Sequence, residues 1–138
     1  MKQEIQQKYI ELQILNQQIK KIQEQFLFLQ QQLGELTSLE NSLAEMKSIK
    51  KDSEMFSSLG SGIFVNSKLS NPEQVIVNVG AGLLVTKTVE EALKLVKTKI
   101  ENVNTSAETI REELSKAASY SEKLSEDLNE MVAKDQKK

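Results

Sequence analysis

Apolar residues recur at alternating three- and four-residue intervals in two long stretches, one toward each end of the chain. The first runs Ile5, Leu12, Leu15, Ile19, Ile22, Phe26, Leu29, Leu33 and Leu36. The second runs Leu93, Val96, Ile100, Val103, Ala107, Ile110, Leu114 and Ala117, then Leu124, Leu128 and Met131. Polar residues fill the intervals, so each stretch predicts a helix that buries one narrow seam against a partner helix. The seams are of similar length and flank a short glycine-punctuated segment. They are therefore expected to pair with each other as an antiparallel hairpin.

The first helix is predicted over 1–51, where good helix formers are interrupted only by Gly34. Taking Ile5 as heptad position a places Lys8 at d and Glu40 and Lys47 at a. Past Leu36 the apolar residues move to Leu39, Leu43, Met46 and Ile49. Two successive three-residue steps (33, 36, 39) predict a stammer, a local overwinding of the coil. Lys8 reads as a register device, with Glu126, Asp127 and Glu130 as its available counter-charges. The second helix is predicted over 88–134. It opens on Thr88-Val89-Glu90-Glu91, a capping box, and its seam has one polar interruption at Ser121, beside Tyr120. Lys134, Lys137 and Lys138 bring positive charge to its C-terminal end. At about 1.5 Å per residue each helix would run roughly 65–70 Å, and the two free ends would meet at one tip.

The centre, 54–87, has a different texture. Ile63-Phe64-Val65, Val75-Ile76-Val77 and Leu83-Leu84-Val85 are short β-prone runs bounded by Gly, Asn, Ser and the only proline, Pro72. Gly60 and Gly62, then Gly80 and Gly82, stand where the chain reverses between strands and positive φ is needed. Two successive β-hairpins follow, the first strand lying near Met55 to Leu59. Two hairpins alone are marginal in water and leave apolar edges unpaired. Oligomerisation is therefore assigned to Ile63, Val65, Val75, Val77, Val79, Leu83 and Val85. The fold class is α+β, mostly α: a long coiled-coil hairpin with two central β-hairpins.

Composition narrows the chemistry. The 138 residues include no Cys and no His, which removes thiol nucleophiles, disulfides, the usual zinc ligands and imidazole acid–base catalysis. Net charge is -2 with both signs interspersed, so neither nucleic acid nor a membrane surface is an expected partner. Only 4% of residues are aromatic, which suits helices burying a stripe better than a globular core. Eleven of the first 32 residues are Gln, yet the apolar period runs straight through them, so the tract reads as helix and not as low complexity. The two glycine turns are followed by strands, whereas a phosphate-binding loop opens onto a helix with Lys and Ser or Thr. No metal, cofactor or enzymatic activity is expected.

The segments LGSGIFV (Leu59–Val65), VIVNVGAGLLV (Val75–Val85) and KTVEEA (Lys87–Ala92), set between coiled coils, resemble the alpha class of prefoldin subunits over nearly the whole chain. Ser57 and Ser58 stand where such subunits often carry Val-Pro. The resemblance implies a single domain over 1–138 and a hexamer of two alpha- and four beta-class subunits. Their strands would join into a β-barrel platform from which the coils hang. It further implies an ATP-independent chaperone of the cytoplasm that holds unfolded polypeptides and passes them to a group II chaperonin.

A holdase needs accessible apolar groups and no covalent chemistry. Ile10, Ile14, Leu27 and Phe28 fall away from the seam, and Tyr9 flanks it, so a two-stranded coil leaves them in water. With the tip residues Ile5, Leu124, Leu128, Met131 and Val132 they form the expected client-binding set; packing against a neighbouring coil is the alternative for the outer groups. At the tip, fraying of the helix ends would let seam residues part around a client. A homomeric coiled-coil filament or scaffold, its hairpins pairing head to tail, is the competing function.

Overall fold

A computed structural model describes residues 2–137; Lys138, one of the three closing lysines, lies outside them. The elements run α1 (Lys2–Met46), β1 (Ser53–Gly60), β2 (Ile63–Leu69), β3 (Gln74–Asn78), β4 (Leu84–Thr88) and α2 (Val89–Gln136). Two long helices thus flank two antiparallel hairpins, and β1–β2 and β3–β4 form separate two-stranded sheets. The chain divides into two compact units. Unit 1 joins the N-terminal stretch through Gln32 to the C-terminal stretch from Val103, and unit 2 is Leu33–Asn102.

In unit 1 the residues of α1 that lose solvent include Ile5, Lys8, Leu12, Leu15, Ile19, Ile22, Phe26 and Leu29. Those of α2 include Val103, Ala107, Ile110, Leu114, Ala117, Ser121, Leu124, Leu128 and Met131. Three contacts establish that the helices run antiparallel. Lys8 Nζ lies 3.9 Å from Asp127 Oδ2, Ser121 Oγ donates to Asn16 Oδ1 at 2.8 Å, and the Arg111 guanidinium sits 5.7 Å from the Phe26 ring centre. As the α1 number rises, its partner's falls. The polar interruption at Ser121 is thus matched by a polar neighbour across the seam, and the Lys8 charge by Asp127.

Unit 2 has its own apolar centre. Leu43, Val89, Ala92 and Val96 are buried together, with Leu36, Met46, Val75, Leu93 and Ile100 packed against them. Here the stammer expected at Leu33, Leu36 and Leu39 does not occur. From Leu33 onward the residues of α1 that lose solvent are Leu33, Leu36, Glu40, Leu43 and Met46, whereas Leu39 stays 46% exposed. The seven-residue stride holds through Glu40 and Leu43, with Glu40 in the seam, and is left at Met46, which loses solvent where Lys47 does not. Helix α1 also stops short of the expected residue 51. Lys47, Ser48 and Ile49 donate to the carbonyls three residues back, and Ser48 Oγ caps Glu45 O at 2.8 Å. The chain then turns through Asp52, whose φ is 64°, into β1.

Helix α2 begins where Thr88 predicts. Its Oγ1 accepts from the Glu91 N–H at 3.1 Å, and the Glu91 carboxylate lies 3.9 Å from Lys87 Nζ. Strand β1 is longer than expected and includes both serines. Ser57 and Ser67 share a hydrogen bond of 2.7 Å between their hydroxyls, a cross-strand link that offsets weak strand propensity.

Candidate functional site

The hairpin turns follow from their glycines. In Gly60-Ser61-Gly62-Ile63 and Gly80-Ala81-Gly82-Leu83 both central residues have positive φ: Ser61 50° and Gly62 82°, Ala81 51° and Gly82 75°. That is the dihedral pattern of the tight hairpin turn whose twist matches its strands. Gly60 and Gly80, at 106° and 112°, lead into them. The Leu83 N–H closes the second turn on Gly80 O at 2.9 Å.

Strand register sorts the hairpin side chains onto faces. In β3–β4 the pairs Val75↔Lys87 and Val77↔Val85 share the half-buried face, and Val75 reaches the apolar cluster of unit 2. Ile76 and Leu84 lie on the opposite face and are exposed, Ile76 at 70%. In β1–β2, Phe56 and Phe64 share one face and Ile63 and Val65 the other; all four are exposed, Phe56 at 72%. Of the residues assigned to oligomerisation, Val75, Val77 and Val85 are thus partly covered by their own chain, while Ile63, Val65, Val79 and Leu83 are open. Phe56, Phe64, Ile76 and Leu84 are equally open, and reading the sequence missed them. Alternation identifies two faces but not which one meets the helices.

Unit 1 carries the second set of open apolar groups. Tyr9, Ile10, Ile14, Leu27, Phe28 and Val132 are exposed, while Ile5 and Met131 are half-buried in the seam. Leu124 and Leu128, expected at a frayed end, are closed in the seam at 6% and 9% exposure. Ile5, Gln6, Tyr9, Ile10, Gln13, Leu128 and Val132 line one groove of ≈ 400 Å³. Lys21, Glu24, Gln25, Phe28, Leu29, Ser106 and Ile110 line another of ≈ 520 Å³. The first is apolar with two side-chain amides; the second mixes apolar and charged groups. Among the described residues no three or more His, Cys, Asp or Glu stand together as metal ligands, and no helix is long and apolar enough to cross a membrane.

This arrangement, long helices bracketing two glycine-turned hairpins, has known counterparts. The family model for prefoldin subunits matches residues 15–134. The chain belongs to the prefoldin subunit family. Prefoldin subunit alpha of Methanococcus vannielii is 31% identical over 140 residues, covering 91% of this chain and 94% of that protein. Prefoldin subunit alpha of Archaeoglobus fulgidus is 26% identical over 125 residues, covering 91% of both. Among solved structures, the filamentous PFD of Methanocaldococcus jannaschii superposes with a TM-score of 0.53 at 19% identity, covering 92% of this chain and 99% of that one. At that identity the likeness establishes the prefoldin fold alone. Membership of the prefoldin family implies a chaperone role, in which alpha subunits assemble with other prefoldin subunits.

Proposed function

We propose that this chain is the alpha-type subunit of an ATP-independent holdase, acting as one functional domain over residues 1–138. It captures unfolded polypeptides and passes them to a group II chaperonin in the cytoplasm. The carrying observation is the set of large apolar groups left open on unit 1: Tyr9, Ile10, Ile14, Leu27, Phe28 and Val132. Each contributes about 1.5–3 kcal/mol when fully buried, before ordering costs, which suits reversible capture of many sequences. Ile5, Leu124, Leu128 and Met131 complete the client-binding set.

Assembly supplies the rest. Each two-stranded sheet leaves strand edges that its own chain does not pair, and partner strands satisfy them. Ile63, Val65, Val75, Val77, Val79, Leu83 and Val85 are the proposed assembly residues. Phe56, Phe64, Ile76 and Leu84 join them on exposure. The partners are beta-class subunits, four to every two alpha. Suppression of aggregation of an unfolded client tests the holdase role, comparing the intact assembly with one lacking residues 1–12 and 124–138. An intact truncated assembly that protects as well as the parent would falsify capture by unit 1.

A second reading draws on the filamentous state of the Methanocaldococcus jannaschii protein. Hairpins that pair head to tail without closing would build a homomeric scaffold. Native mass measured with and without a beta-class subunit separates the two: a discrete hexamer only with the partner favours the holdase, and open-ended polymers of this chain alone favour the scaffold.

A further inference from the structure

We infer that unit 1 opens and recloses as one cooperative block while unit 2 stays folded, the break lying at Gly34 in α1 and at residues 102–106 in α2. The chain passes between the units twice, after Gln32 and after Asn102. Both passages fall on weak helix. Gly34 is the one glycine in either helix. A Cβ placed there would meet nothing within 4 Å, so no close approach of another element calls for glycine. Asn102, Val103, Asn104, Thr105 and Ser106 form the longest run of poor helix formers in either helix. The Thr37 hydroxyl donates to Leu33 O at 2.8 Å and the Thr109 hydroxyl to Thr105 O at 3.1 Å, side-chain bonds that slightly destabilise a helix.

Opening creates two new helix ends, and the residues at the break suit them. The part of α1 left in unit 2 needs an N-cap, a position where glycine is far better than alanine or leucine. The part of α2 left in unit 2 needs a left-handed residue past its last turn, a position where asparagine follows glycine; Asn102 and Asn104 stand there. Each unit also has its own apolar support. Leu43, Val89, Ala92 and Val96 are buried in unit 2, and Leu124 and Leu128 in unit 1. Among the described residues of α2, none between Val96 and Leu124 is buried, so the break falls where burial is least. Lys8–Asp127 and Asn16–Ser121 both lie within unit 1, which favours its opening as a block over fraying residue by residue. Once its seam parts, unit 1 loses the tertiary packing that supplies most helical stability, and its amides exchange. Unit 2 holds both hairpins, so the proposed assembly strands keep their support throughout. No client is needed for the opening.

The test is hydrogen exchange on the full chain in its assembled state, read by mass spectrometry on overlapping fragments. Fragments of α1 before Gly34 and of α2 after Ser106 are expected to share one protection level. It should lie about tenfold or more below that of residues 36–46 and 89–101. The chain has no cysteine, so Asn16→Cys with Ser121→Cys places a single thiol pair inside unit 1. Bridging it should raise protection throughout unit 1 and leave unit 2 unchanged, and reduction should restore the parent values. Gly34→Ala with Asn102→Ala and Asn104→Ala exchanges end-forming residues for one that propagates helix. The step should then move toward the free ends, with fragments beside Gly34 protected about fourfold to fivefold more. Gly34→Ser, which keeps an N-cap, should leave the step of α1 in place. One protection level over both units, or a smooth decline with no step, would overturn the inference. So would a bridge that protects unit 2 as much as unit 1, or a step unmoved by the three alanines.

Discussion

Replacing Gly82 by alanine adds one methyl group to a turn residue whose φ is 75°. No atom lies within 4 Å of the place that methyl would occupy. The cost is therefore one of backbone conformation, about 1–2 kcal/mol for an L-residue held in the left-handed region. The same substitution at Gly34 also meets nothing within 4 Å, but there the backbone is the interior of α1. Alanine in a helix interior is favoured over glycine by about 0.8–1.0 kcal/mol. One chemical change thus has opposite signs at two positions, separated by roughly 2–3 kcal/mol. In a chain of this size ~1 kcal/mol moves Tm by about 3–5 °C, so the two variants should melt roughly 6–15 °C apart, straddling the parent. The assay is far-UV ellipticity on heating at fixed subunit concentration, because assembly makes Tm concentration-dependent. Amide exchange supplies a local readout. The Val79 N–H donates to Leu83 O at 3.0 Å and the Leu83 N–H to Gly80 O at 2.9 Å. Both should exchange faster in Gly82→Ala and unchanged in Gly34→Ala. Shifts of the same sign in the two variants, or a Tm raised by Gly82→Ala, would refute the reasoning.

Other substitutions probe the remaining supports. Leu43→Ala removes a side chain 6% exposed from the centre of unit 2 and should cost about 2–5 kcal/mol in chemical denaturation; a loss below ~1 kcal/mol would mean that the cluster collapses into the space. Thr88→Ala deletes the acceptor of the Glu91 N–H and should cost about 1 kcal/mol, with Thr88→Ser restoring most of it. Lys8→Leu exchanges an ion pair of 3.9 Å, worth about 0.2–1 kcal/mol, for seam burial worth about 1.5–3 kcal/mol. Its Tm should rise, and a fall would show that Lys8 is needed for pairing. Phe56→Ser with Ile76→Ser should leave helix content unchanged while lowering native mass at a given concentration; undiminished assembly would take those two side chains out of the interface.

How far the fold could be read in advance depended on the kind of information involved. The seams at Ile5–Leu36 and Leu93–Met131 and the cap at Thr88 are local periodicities and local hydrogen bonds, which a chain carries wherever it goes. The stammer failed because residue type was taken for burial. Leu39 is apolar yet open, and Glu40 is charged yet in the seam, because the stride of the preceding turns holds through Leu43 and is left only at Met46, the last residue of α1. The end of α1 at Met46 escaped notice because nothing in Lys47–Lys51 forbids helix; the turn comes from backbone bonds and from Ser48. Among the open apolar groups of unit 1, Tyr9, Ile10, Ile14, Leu27 and Phe28 were legible from heptad position alone. The closure around Leu124 and Leu128 was not, because it depends on what α1 sets against them.

The residue order by itself determined two amphipathic helices, two glycine-turned hairpins and the absence of Cys and His, since each rests on the spacing or identity of residues near one another in the chain. Only the tertiary structure decided which strand face meets the helices, through Val75 in the cluster of Leu43, Val89 and Val96. It alone matched Lys8 with Asp127 and Asn16 with Ser121, and showed, among the described residues, a groove of apolar and amide side chains beside a shut seam. The seam pairings join distant segments, 105 positions apart at Asn16 and Ser121, and Val75 meets a cluster drawn from both helices; a local pattern holds no information about the side chain that packing places opposite.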